Sequence, residues 1–461
     1  MTTICSQCQN LVDEHSSVQI MSTTRPGKGL HYPAKYCIPC ALQHVRTDGP
    51  CANLNEMGDA CELYHCVQKV IGLPSKSSSP SDQWVLTFVP GTLYDGIPIR
   101  RGFMKWWITP TGPPNIYNKT TYGLEYEILI YKDIVRPLIY KKVCPNFVRY
   151  LGSSNGCKSS QLINFLVDRA PINKGPRVMT LDQAERATTV AVSYLSRSRE
   201  NRPSINSAYN RNITSQNMLQ DYSVLINEAF TPGTHNFKDW LKMSNKKPGL
   251  VFNVVFQIMV ACYALGLSKT TANDLHLANI WVEPLSEPRT YVYIIDGIPY
   301  TVELEYLALV YDFDRAYSEK FGNNPMLDEH LCQSYNQCNE TVMNKDAIKV
   351  LMYLMCSGFA TRDLILEIIS PVNMEDDIWE FLLQQSTKLL YLMYGNDRLG
   401  ATELDAMNPM GVIISNIASM SQGIQIGVYD PGNPDTYVCD PSRFTPDGTL
   451  YENYMPMELD N

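Results

Sequence analysis

The chain has 461 residues, 44% hydrophobic and 18% charged, enough apolar side chain for full cores and too much for a disordered tail or a small stapled domain. Its 38 Lys and Arg stand against 47 Asp and Glu, a formal charge of −9 with pI ≈ 5.4. That balance argues against a nucleic-acid coat or a polybasic membrane binder, both of which need a positive field, and the length suggests roughly two to three domains.

The amino terminus, Met1 to Cys5, has neither the basic start nor the apolar run of a secretory signal. A chain that is not exported is expected, with its cysteines as thiols or metal ligands. Seven of the 14 cysteines fall in the first 66 residues, which marks residues 1–73 as a separate head. Cys5-x-x-Cys8 and Cys37-x-x-Cys40 make two hooks, each able to place two thiolates on one tetrahedral ion, and four soft ligands select Zn2+. The spacer of 28 residues is longer than the commonest ribbon spacing, so Cys51, Cys61, His65 and Cys66 stand as a second site or alternative ligands. Buried reduced thiols are the competing reading. No acid or base stands beside the hooks, so the expected zinc is structural, and a module of this kind usually binds another macromolecule. Five Lys/Arg against six Asp/Glu through residue 75 do not favour nucleic acid.

Residues 74–82 are polar with two prolines and form the expected linker. The runs Trp84 to Val89 and Phe103 to Ile108 read as strands of a small antiparallel sheet, and Leu124 to Ile139 reads as a helix with Pro137 near its end. Residues 152–218, rich in Ser, Asn and Arg, read as an insertion. After a strand at Ser223 to Ile226 and a short helix around Phe237 to Leu241 comes the most apolar stretch, Gly249 to Leu267. It approaches membrane-spanning length, but Asn253 and Gln257, one turn apart, would need partners in lipid, so a buried helix is expected and no membrane span. Tyr291 to Ile295 and Ile298 to Val302 flank Asp296-Gly297, a two-residue hairpin signal. Mostly helix is expected after about 326, and the Pro-rich tail 426–461 is acidic and expected to drape over the body or be disordered.

The chemistry concentrates in Asn273-Asp274-Leu275-His276-Leu277-Ala278-Asn279-Ile280. An aspartate five residues before an asparagine suits phosphoryl transfer: the carboxylate can orient a hydroxyl while the amide oxygen holds a cation. Leu309-Val310-Tyr311-Asp312-Phe313-Asp314 then ends an apolar strand with carboxylates suited to a hard Mg2+.

In this order the motifs resemble the protein-kinase-like superfamily, whose catalytic loop Asp-x-x-x-x-Asn is met by Asp274 and Asn279 and whose metal-binding Asp-Phe-Gly is met by Asp312-Phe313, with Asp314 replacing glycine. The resemblance covers roughly residues 84–400. It implies an α+β, two-lobed kinase-like fold, with a sheet lobe over 83–226 and a helical lobe over 227–425, behind the zinc-binding head. It further implies that Lys105 grips the ATP phosphates, that Glu127 is its helix partner, that Glu228 lies in the segment meeting adenine, and that Asp346 is the aspartate of the central helix of the second lobe. ATP and Mg2+ are the implied cofactors, and a Ser/Thr hydroxyl of an unknown protein the implied acceptor. More narrowly, Leu124-Glu-Tyr-Glu-Ile128, the Asn-Asp-Leu-His segment, the long hairpin and Tyr311-Asp-Phe-Asp-Arg315 are similar to divergent serine/threonine kinases of large nucleocytoplasmic DNA viruses, implying a product of the host cytoplasm or the virion.

The chain departs from that pattern in places. No Gly-x-Gly-x-x-Gly precedes Lys105, Ala272 and Asn273 replace the histidine and arginine before the catalytic aspartate, and no clear Ala-Pro-Glu follows. His276 stands where protein kinases carry lysine and matches small-molecule phosphotransferases. A catalytically inactive interaction module and a small-molecule kinase are therefore the alternatives.

Overall fold

The computed structural model describes residues 2–4, 11–13, 17–20, 34–37, 67–72, 82–88, 92–94, 97–108, 119–158, 221–243, 247–335, 337–369 and 408–452. The chain divides into two compact units, Met1–Trp106 with Leu151–Ile226, and Trp107–Tyr150 with Asn227–Asn461.

The first unit opens with two antiparallel ladders, β1 (Thr2–Ile4) with β2 (Leu11–Asp13) and β3 (Ser17–Ile20) with β4 (Ala34–Cys37). Cys5, Cys8, Cys40, Cys51, Cys61, His65 and Cys66 lie outside the described residues, as does the side chain of Cys37. The main feature is a five-stranded sheet built from β5 (Val67–Gly72), β6 (Asp82–Phe88), β9 (Arg101–Ile108), β10 (Tyr150–Lys158) and β11 (Asp221–Glu228) in the order β10-β11-β9-β6-β5, with a small ladder of β7 (Leu93–Tyr94) and β8 (Ile97–Pro98) between β6 and β9 in the chain. Leu86 and Phe88, two residues apart and so on one face of β6, are buried with Val67, Met104 and Val224. Gly102 pairs with Leu86 and lets the Phe88 ring come within 3.0 Å of where a Cβ would sit, so a larger residue would displace the ring.

Two sequence boundaries shift here. Val67–Gly72, expected in the head, pairs antiparallel with β6, so residues 74–82, read as an interdomain linker, span two neighbouring strands of one sheet. The segment 152–218, read as an insertion, begins only after Lys158, because its first residues complete strand β10.

The second unit contains a continuous helical segment longer than the expected Leu124–Ile139. It comprises α1 (Lys119–Ile130), a π-helical turn over Tyr131–Val135 and α2 (Arg136–Tyr140), which has Pro137 in its first turn, where a missing N–H is tolerated. A short β12 (His235–Asn236) leads into α3 (Phe237–Lys242), capped by Asn236, whose Oδ1 accepts from the Asp239 amide at 2.8 Å. Then comes α4 (Pro248–Leu267), apolar on all sides because it is buried on all sides.

By length and composition α4 could cross a membrane, yet 94% of its most apolar window is buried. Its two amides are saturated by protein. Asn253 Nδ2 donates to the carbonyls of Gln422 (2.9 Å) and Glu303 (3.3 Å), and Gln257 Nε2 donates to Asn253 Oδ1 (3.2 Å) and the Tyr306 carbonyl (3.0 Å). Gln257 Oε1 accepts from Asn146 Nδ2 (3.0 Å) and the Ala308 amide (2.9 Å).

After β13 (Thr270–Thr271) the chain forms the long hairpin of β14 (Ile280–Ile295) and β15 (Ile298–Val310). The expected turn holds: Asp296 and Gly297 take φ of 50° and 77°, as a type I′ turn demands. β16 (Tyr317–Ser318) pairs with β13, and α5 (Glu329–Tyr335), α6 (Lys345–Cys356), α7 (Arg362–Ile369) and α8 (Met410–Met420) follow. The tail begins as an integral part of the fold. β17 (Ile424–Ile426) extends β15, and β18 (Thr436–Cys439) pairs in parallel with β14. Beyond them Arg443 is buried, donating to the carbonyls of Lys142 and Val438.

Candidate active site

The loop between β13 and β14 carries the first motif. Asp346, at the start of α6 and 4% exposed, accepts from the amides of Ala272 (2.6 Å) and Asn273 (3.0 Å). Burial pushes its carboxyl up, opposed by the Lys349 ammonium, the two amides and Lys345. Burial likewise pushes the Lys349 amine down. Asn273 has φ of 63°, and the Asp274 amide returns to the Ala272 carbonyl at 2.7 Å, closing a three-residue turn. An asparagine tolerates that left-handed backbone better than most residues. Its Nδ2 donates to the Arg315 and Cys338 carbonyls (3.1 and 3.0 Å), while Lys345 and Lys349 donate to its side-chain and main-chain oxygens.

Asp274 therefore leaves a rigid turn. One carboxylate oxygen, Oδ1, accepts from Gln337 Nε2 at 2.8 Å, and Oδ2 lies 3.3 Å from Arg315 Nη1. His276 Nδ1 accepts from the Ala278 amide at 3.2 Å and caps the short turn Leu277–Asn279, so this nitrogen has a structural task. Asn279 Nδ2 donates to the Asp274 carbonyl at 3.0 Å, while its Oδ1 has no protein partner among the described residues.

The second motif meets the first at the open end of the hairpin. Ile280 pairs with Val310, and the Tyr311 amide reaches the Asn279 carbonyl at 3.2 Å, so Asp312 follows one residue beyond Asn279's own contact. Asp312 has φ of 71°, a strained backbone for a residue other than glycine. Three contacts hold it there. Phe313 is fully buried, edge-on to Tyr131 at 5.2 Å and tilted against Phe147 at 6.4 Å, and the Asp312 amide donates to the Tyr131 hydroxyl at 3.3 Å. Glu127 Oε1 accepts from the Phe313 amide at 3.4 Å, and the side chain is 1% exposed.

Asp346 and Asn279 are thus tied to the turn that carries Asp274, and Glu127 to the segment that carries Asp312. Lys105 lies on β9 of the first unit and is buried. Glu228, expected to meet adenine, is engaged elsewhere: Arg149 holds its carboxylate through Nε and Nη2, both at 2.6 Å, and its amide donates to the Arg149 carbonyl. This pair fixes the strand end, and the Glu228 side chain is not free for a ligand. Among the described residues no three or more His, Cys, Asp or Glu side chains are placed to hold a metal ion. A Mg2+ that takes one carboxylate, one amide oxygen, phosphate oxygens and water needs no such cluster, and the donor types of Asp312 and Asn279 fit it.

Three aromatic residues were not foreseen. Phe230 stacks on Trp281 with centroids 4.2 Å apart, and Tyr311 sits 5.8 and 5.9 Å from them. Trp281 Nε1 is buried with no hydrogen-bond partner among the described residues. Trp281 is the second residue of β14, just after the turn that carries Asn279, and no spacing in the sequence ties it to the motif. Arg315 and Gln337 were also missed as neighbours of Asp274, because they lie 41 and 63 residues further along the chain.

No protein-family model and no curated protein matches the chain. The solved structures that overlay on it include kinase and pseudokinase domains. The Neurospora crassa PAN3 pseudokinase aligns at 13% identity over 76% of this chain, with a TM-score of 0.29, and a mutant of it at 11% over 76%, with 0.30. The kinase domain of PF14_0431 aligns at 12% over 77% of this chain and 91% of its own, with 0.33. The chain spans 62% of the length of the Neurospora crassa protein. These overlays are loose, so the function is read from the chain's own residues.

Proposed function

We propose that this chain is a Mg-ATP-dependent phosphotransferase acting on a Ser/Thr hydroxyl of a protein. The observation that carries the reading is the convergence of Asp274, Asn279 and Asp312 at the open end of one hairpin, with the Asn279 Oδ1 acceptor left unpartnered. In this reading Asp274 orients the attacking hydroxyl and takes its proton. Asn279 and Asp312 hold Mg2+ through oxygen, and magnesium bound there supplies neutralisation of phosphate charge. The backbone of Asp312, at positive φ, is fixed by Tyr131 and by the buried Phe313, whose amide donates to Glu127. The aromatic cluster of Phe230, Trp281 and Tyr311, which follows the same motifs in the chain, is assigned to the purine base. Lys105 is assigned to the phosphates on the resemblance alone. Cys5, Cys8, Cys37 and Cys40 are assigned a structural Zn2+, which metal analysis of the purified protein tests: one zinc per chain supports the assignment and none overturns it.

The second reading, an inactive kinase-like body serving as an interaction module, is favoured by the missing glycine-rich stretch before Lys105. A small-molecule acceptor has less support, since its clue, His276, caps a turn through Nδ1. The test is transfer of labelled γ-phosphate from Mg-ATP by wild type and Asp274→Asn, offered protein and choline- or sugar-like acceptors. Protein labelling lost in the variant supports the proposal. Labelling of small molecules alone corrects the acceptor, and folded but equally inactive proteins favour the module.

A further inference from the structure

Asp274 is clamped by a part of the chain that plays no role in the reading above. Gln337, 3% exposed, donates from Nε2 to Asp274 Oδ1 at 2.8 Å and accepts at Oε1 from Arg315 Nη1 at 3.0 Å. Arg315 Nη1 also lies 3.3 Å from Asp274 Oδ2, so the three side chains close a triangle with one possible orientation of the Gln337 amide. The residue after Gln337 is Cys338, disulfide-bonded to Cys332 near the middle of α5, six residues earlier. The same stretch docks on the catalytic turn a second time, through the Cys338 carbonyl that accepts from Asn273 Nδ2. The Gln337 amide returns to the Leu331 carbonyl at 3.2 Å, which folds the segment back on α5. Reduced cysteines are present elsewhere in the described residues, at Cys144, Cys262 and Cys439.

We propose that Gln337 is a positioning residue for Asp274, that the Cys332–Cys338 bridge delivers it, and that opening the bridge therefore slows phosphoryl transfer. The inference rests on the reading of Asp274 as the base. A carboxylate held on both oxygens keeps one rotamer and still has lone pairs for a substrate hydroxyl. Without the bridge the loop after α5 regains freedom, and Gln337 is lost from the triangle. Closing the bridge takes two electrons and two protons from the thiols, which glutathione disulfide accepts in becoming two glutathione thiols. A dithiol such as dithiothreitol returns them.

The test uses the full chain after glutathione disulfide or dithiothreitol, with transfer from labelled Mg-ATP to casein and, independently of activity, hydrogen exchange of the 272–279 amides. Mapping of alkylated thiols reports the bridge. The expected results are a bridged wild type, a drop in rate of about tenfold to a hundredfold on reduction, and faster exchange in the turn. Gln337→Ala should be slow in both states and indifferent to reductant, as should Cys332→Ser. The near-isosteric Gln337→Glu, which puts a second carboxylate beside Asp274, should move the acid limb of the pH–rate profile to higher pH, an effect that a purely structural residue would not produce. Two free thiols after oxidation, or wild-type rate and exchange in Gln337→Ala, would overturn the proposal. If no form transfers phosphate but exchange responds as described, the phosphotransfer reading fails and the clamp stands.

Discussion

Two polar clusters in the second unit, one of buried amides and one around the part-buried Asp274 carboxylate, differ in completeness. In the cluster that fastens α4 to the hairpin, Asn146, Asn253 and Gln257 use every amide hydrogen and each amide oxygen on protein partners, with Tyr293 and Cys144 supplying the last donors to Asn146 Oδ1. Around Asp274 the backbone is strained at Asn273 and Asp312, and among the described residues Asn279 Oδ1 has no protein partner and buried Arg315 Nε has none either. A saturated network holds a fold together. One that stops short leaves donors and acceptors for a ligand, and strain gathers where they point.

The comparison can be broken most directly by a change at the open cluster. Asp274→Asn should lower phosphoryl transfer by about 10³-fold with little effect on the melting temperature, measured by labelled transfer and calorimetry on the same preparation. The mirror experiment is Gln257→Leu. It leaves the Ala308 amide, Asn146 and the Tyr306 carbonyl short of partners and should cost about 3 kcal/mol of stability in denaturant titration, while the remaining folded protein keeps its rate per molecule. A loss of rate without loss of stability in Gln257→Leu would erase the distinction.

A smaller effect is expected at the aromatic surface. Trp281→Leu keeps an apolar side chain and should raise the KM for ATP about tenfold with kcat nearly unchanged, since stacking acts on binding before reaction. The smallest concerns Tyr126, whose hydroxyl donates to the Gly322 carbonyl at 2.7 Å and accepts from the Ser318 amide at 2.9 Å. Burial pushes this phenol up to about 12. The unfolded chain loses the proton first, so this contribution is intact below about pH 10 and is lost as pH rises toward about 12. Tyr126→Phe should flatten that part of the stability–pH curve, and an unchanged slope would count against the assignment.

What the sequence disclosed follows the range of the interactions involved. The α4 helix and the Asp296-Gly297 turn were legible because each is encoded by neighbouring residues, a long apolar run in one case and two residues that accept positive φ in the other. Asp274, Asn279 and Asp312 were singled out by their order along the chain, and the contact of the two segments that carry them is what the structure adds. The pairing of Val67–Gly72 with β6 was hidden by an abrupt change of composition at residue 74. The parallel pairing of Thr436–Cys439 with Val292–Ile295 joins segments more than 100 residues apart and has no local signal. Gln337 was invisible for the same reason, and Glu228 was misread because nothing near it in the chain announces Arg149.

The central claim is that the open cluster awaits a magnesium nucleotide, and titration calorimetry of the purified full chain tests it. Mg-ATP should bind with a measurable heat that disappears without Mg2+ and is lost in Asp312→Asn, whose fold is verified by its melting curve. Absence of binding by the folded wild type, or equal binding by Asp312→Asn, would contradict the account.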